Sequence, residues 1–98
     1  MDEPMIVISH IRARKGYEAI VQDLLVKLLE PTRAEDGCLA YTLHLSQTDP
    51  KLFMLFQSWA SEAHLDRHGL TAHAAGFRRV APTVLDGPIA QTRWKIVR

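Results

Sequence analysis

The spacing of apolar residues changes along the chain, and each change marks an element. Residues 5–13, "MIVISHIRA", are rich in β-branched side chains and predict a strand that the turn "RKG" ends. From Tyr17 the period lengthens: Tyr17, Ile20, Val21, Leu24, Leu25, Leu28 and Leu29 recur at three- and four-residue steps, the pattern of an amphipathic helix. Pro31 should end or kink that helix, because it lacks the N–H a helix interior needs. "AEDG", residues 34–37, then reads as a turn.

Two strands follow. In "CLAYTLHL", residues 38–45, Leu39, Tyr41, Leu43 and Leu45 alternate with smaller or polar residues. "LFMLFQSW", residues 52–59, is apolar at nearly every position, whereas an antiparallel strand with one wet face should alternate. Both faces of this strand are therefore expected to be covered, one by the chain's own helices and the other by a second copy of the chain. Ser61 is placed to cap a short helix that Gly69 breaks. Thr71 can cap a second helical piece with Phe77, Val80 and Val84 on one stripe, closed by Pro82 and "DGP". "IAQTRWKIV", residues 89–97, alternates as a last strand. The order β-α-β-β-α-β predicts an α+β, ferredoxin-like fold: a four-stranded antiparallel sheet with helices on one face.

Composition narrows the function classes. A chain of 98 residues is one domain, taken as residues 1–98, and hides only ~60–65% of its unfolded surface, which favours dimerisation. The net charge of +1, with acids and bases mixed, gives no basic stripe for nucleic acid. The single cysteine, Cys38, excludes an internal disulfide and a cysteine-pair zinc site. The start, "MDEP" followed by the short apolar run "MIVI", has neither the form of a secretory signal nor the length of a membrane span, so a cytoplasmic protein is expected.

Candidate chemistry sits in "AHLDRHGLTAHAAGF", residues 63–77, which holds His64, His68 and His73. His64 and His68 are four apart and share a helix face, but at 100° per residue His73 falls on the opposite side from His64. No carboxylate or cysteine stands at a recognisable ligand spacing, so no metal site is expected. His64 reads as a solvated helix residue. His73 precedes Phe77 by four and Val80 by seven, which puts it on the apolar stripe, as a core histidine or a pocket base. His68 shares the inward side with Leu65. Trp59 reads first as a core aromatic whose indole N–H needs a partner.

Several of these pieces, in this order, resemble the antibiotic biosynthesis monooxygenase family, nearest its quinol monooxygenase branch: "IRARKG", "PTRAEDGCLAY", Trp59, and the H-x4-H from His68 to His73. The resemblance implies a homodimer of ferredoxin-like protomers whose sheets form an α/β barrel. It also implies oxidation of a quinol or phenol by dioxygen with no cofactor. His73 would be the catalytic base that takes the phenolic proton, His68 would assist it or orient the substrate, and Trp59 and Phe77 would be the apolar walls around a small aromatic substrate. Haem-degrading relatives carry an Asn and a His where Ser9 and Arg78 stand, which disfavours that activity. Gly69 and Ala72 replace a Leu and a Pro common in the family, which alters the pocket mouth. A small-molecule isomerase of the same fold and a non-catalytic dimeric accessory module are the alternatives.

Overall fold

The computed structural model describes residues 3–98; Met1 and Asp2, the first half of "MDEP", lie outside the described residues. Four strands, β1 (Met5–Arg12), β2 (Cys38–Leu45), β3 (Leu52–Trp59) and β4 (Ala90–Lys95), form one antiparallel sheet in the order β2-β3-β1-β4. Helices α1 (Glu18–Val26), α2 (Leu29–Arg33), α3 (Glu62–Gly69) and α4 (Ala72–Val84) complete the ferredoxin-like α+β fold.

The first helical region divides earlier than its apolar period predicts. α1 stops at Val26 and α2 begins at Leu29, with Pro31 in the first turn of α2. In an unbroken helix the Pro31 ring would clash with the carbonyl of Lys27 and leave it without a donor. Placed near a helix start, Pro31 loses nothing. Pro82, by contrast, is taken inside α4, which runs on to Val84. The caps stand where expected: Ser61 Oγ accepts from the His64 N–H and Thr71 Oγ1 from the Ala74 N–H.

Alternate residues of the central strands face the helices. Val7, Ser9, Ile11, Phe53, Leu55, Gln57 and Trp59 are buried on that side, and Val21, Leu25, Phe77 and Val84 pack there from the helices, with Leu28 from the turn between α1 and α2. Ile6, Ile8, Met54 and Phe56 point the other way and are only partly covered. Ile6 lies opposite Trp94 and Ile8 opposite Phe56, so these side chains share one apolar patch. Trp94 is 56% exposed, and no helix among the described residues packs on that face. Several stripe residues fall outside the core, among them Tyr17 and Ile20 of the first helical region and Leu45 at the end of β2. Leu39 is exposed because the β2–β3 register shifts between Cys38 and Ala40, and a bulge turns its side chain outward. Val80 is also exposed. Among the described residues no helix is long and apolar enough to cross a membrane.

Candidate active site

The turn between α2 and β2 carries a residue that the sequence pattern passes over. Glu35 donates its N–H to the Thr32 carbonyl (3.0 Å), and its own carbonyl accepts from the Cys38 N–H (3.2 Å). Two residues on, Gly37 has φ +83°, and its carbonyl accepts from the Ala60 N–H at the end of β3 (2.8 Å). A Cβ at Gly37 would overlap the ring of His64, so glycine is needed there for both conformation and space. His64 is thus half-buried against the turn rather than solvated, with Nδ1 2.7 Å from Ser61 Oγ. This lock between the turn and α3 holds Glu35 under the histidines.

The Glu35 carboxylate gathers two of them. Its Oε2 lies 2.7 Å from His68 Nδ1 and 2.7 Å from His73 Nε2. Because α3 ends at Gly69 and α4 starts anew at Ala72, the rotation that would separate the histidines on one helix does not apply. An ionised carboxylate only accepts, so the network requires a proton on both facing nitrogens. That leaves His68 Nε2 as an unprotonated acceptor when the ring is neutral, and it has no partner among the described residues. The same three side chains bring their ligand atoms within 4.8 Å of one another, a set able to take a divalent ion.

Beside this cluster, on the helix side of the sheet, lies a cavity of about 420 Å³. Ile11, Leu28, Leu55, Leu65, Phe77 and Ile89 form its apolar lining, and His68, Gln57, Ser9 and Gln91 are polar groups on it, with Asp66, Arg78 and Arg93 also contributing. Of the residues picked from the sequence, His68 and Phe77 line the cavity. His73, the base expected from the sequence, does not line it, and is joined to His68 only through Glu35. Trp59 is 0% exposed and stands behind the lining rather than in it. Its ring centroid is 4.9 Å from that of His68, and its Nε1 donates to Gln57 Oε1 at 3.0 Å. Tyr41 also lines the cavity, and burial pushes its phenol up to about 12. Burial likewise raises the Cys38 thiol, which only hydrogen-bonds the Ala40 carbonyl.

Glu35 and Gln57 are the additions to the expected site. Glu35 sits in a turn whose acidic residues look like ordinary turn chemistry, and Gln57 is a lone amide in an apolar strand. That second anomaly was the one visible signal, since an amide on a buried strand face needs partners.

Comparison with known proteins agrees with this architecture. The profile of the family described as "Antibiotic biosynthesis monooxygenase" matches residues 4–80. Rv0793 of Mycobacterium tuberculosis, provisionally named a monooxygenase, is 34% identical over 94% of this chain and 90% of its own. PA3566 of Pseudomonas aeruginosa superposes with a TM-score of 0.95 at 32% identity, over 100% of this chain and 98% of that one. sll1783 of Synechocystis is 28% identical over 97% of this chain, which spans 65% of that protein's length.

Proposed function

The chain belongs to the antibiotic biosynthesis monooxygenase family, and from that premise we propose that it is a cofactor-independent monooxygenase acting on a quinol or related phenol. The observation that carries the reading is His68. Its ring stands on the wall of a largely apolar cavity, one nitrogen is tied to Glu35, and the other is left as an acceptor. His68 takes the phenolic proton on Nε2, while Glu35 holds the ring in the required tautomer and stabilises the imidazolium that forms. His73, hydrogen-bonded to the same carboxylate oxygen, completes the catalytic pair from behind. Phe77 contacts the substrate ring, and Trp59 supports His68 from the far side.

The phenolate so formed is electron-rich enough to reduce dioxygen directly. For a hydroquinone, a ring C–H becomes C–O and both hydroxyls become carbonyls. The four electrons released reduce one dioxygen, whose second oxygen leaves as water. The protein's part is to bind the ring, remove the proton and exclude bulk water. The functional unit is one domain, residues 1–98, in a cytoplasmic homodimer with the apolar outer faces of two sheets packed together. No nucleic acid or membrane takes part.

An oxygen electrode with a panel of hydroquinones tests the reading. Oxygen uptake that needs the phenol and survives prolonged treatment with EDTA is expected. Turnover that proceeds equally well without oxygen would identify the isomerase alternative instead, and uptake abolished by EDTA and restored by a divalent ion would make Glu35, His68 and His73 a metal site.

A further inference from the structure

One polar group on the cavity has no role in the proton transfer described above. Gln57 is 4% exposed and lines the cavity from β3. The orientation of its amide is dictated by its neighbour. The Trp59 indole can only donate a hydrogen bond, so the Gln57 atom 3.0 Å from Trp59 Nε1 is the oxygen. The amide nitrogen is therefore turned away from Trp59, and neither of its hydrogens has an acceptor among the described residues. The amide nitrogen is reachable from the cavity rather than sealed in the core, so a group bound in the cavity can supply its acceptor.

Ser9 repeats the arrangement on β1. It is 2% exposed and lines the same cavity, and its Oγ accepts from Gln91 Nε2 at 3.2 Å. That bond uses the serine as an acceptor, and its hydroxyl hydrogen has no acceptor among the described residues. The register sets Gln57 opposite Val7 and Ser9 opposite Leu55, so the two polar side chains are diagonal neighbours on one face of adjacent strands. Arg78, Arg93 and Asp66 also line the cavity, but Arg93 is paired with Glu62 at 3.4 Å and Arg78 donates to the Gly69 carbonyl, so the unpaired donors there are those of Gln57 and Ser9. Two neighbouring donors without acceptors, on one face of adjacent strands, suit an anionic oxygen.

We infer that Gln57 and Ser9 form an oxyanion-binding floor that accepts the ionised oxygen of the phenolic substrate, with Trp59 as the positioning residue that aims Gln57. This inference rests on the phenol-oxidising reading of the cavity and adds the group that stabilises the anion once His68 has removed the proton. The donors are fixed before substrate arrives, which is the condition under which such groups lower a barrier most. Trp59 serves both halves of the site, its ring face against His68 and its N–H on Gln57.

The test uses 4-nitrophenol, whose ionised form absorbs in the visible, bound to the full chain and titrated with base. In the wild type the bound phenol ionises about one pH unit or more below the free compound. In Gln57→Met the probe still binds but ionises near its free value, and oxygen uptake with a hydroquinone falls about 10²-fold. Gln57→Met leaves the Trp59 N–H unpaired, so the double variant Gln57→Met/Trp59→Phe, which removes donor and acceptor together, guards against loss of folding. It should behave as the single variant does. Trp59→Phe alone frees the amide to turn and gives an intermediate ionisation. Wild-type ionisation of the bound probe in the double variant would overturn the role of Gln57 while leaving the phenol site standing. Failure of the wild type to bind the probe at all would overturn the phenol reading of the cavity and this inference with it.

Discussion

The two faces of one sheet have been put to opposite uses. On the helix side, β1 and β3 offer Ser9 and Gln57 among apolar neighbours, and the helices stand off enough to leave a cavity of about 420 Å³. On the other side the same strands offer Ile6, Ile8, Met54 and Phe56, joined by the exposed Trp94 of β4 and covered by no helix. The period-2 alternation of a strand makes this possible, because adjacent residues never share a face. The closed face carries polar groups, which a site needs. The open face carries an apolar patch of the kind association needs, bordered by Thr42, His44, Ser58 and Thr92. A strand that looks uniformly hydrophobic is thus two different surfaces read in alternation.

Substitutions on each face should separate these uses. The largest effect is expected from His68→Ala, which removes the base from the cavity wall. Oxygen uptake with a hydroquinone should fall about 10²–10⁴-fold, and chain assembly by sedimentation should not change. Glu35→Gln comes next. It keeps the shape of the turn but no longer offers a charged acceptor to both histidines. A fall of about 10–100-fold is expected, with an altered pH profile of the rate.

Phe56→Asp moves to the open face. In the proposed homodimer this carboxylate would be buried between two sheets at a cost, so the variant is expected to sediment as monomer and the wild type as dimer. Activity should fall less than in either helix-side variant. The smallest effect concerns the closed face at high pH. Tyr41 ionises near 10 in an unfolded chain and at about 12 here, because burial disfavours the phenolate. Folding stability is therefore undiminished by this group below 10 and declines as the pH rises from 10 towards 12, where only the unfolded chain ionises freely. Tyr41→Phe should flatten that alkaline decline in denaturant titrations.

Most of the fold could be read from spacing alone, since the strand and helix periods are local properties. The departures were also local in cause but not in signal. Leu39 turns outward because of a bulge that no alternation reveals. α1 ends early because Pro31 acts on the turn before it. The site was harder. His68 and His73 stood out by their place on apolar stripes, yet what joins them is Glu35, 33 residues before the first. That contact depends on Gly37 letting the turn close under His64, a matter of three-dimensional fit. The indole N–H of a buried Trp59 needs a partner, which its residue type alone implies. The partner, Gln57, lies two residues away on the same strand face.

The account depends most on the state of one ring. Long-range ¹H–¹⁵N spectra of the histidine side chains, recorded at neutral pH with and without a hydroquinone under nitrogen, report it directly. His68 should carry its proton on Nδ1, towards Glu35, and show an unprotonated Nε2 whose resonance moves when the phenol binds. A proton on Nε2 with Nδ1 bare, or an Nε2 signal indifferent to the phenol, would contradict the assignment of His68 as the base.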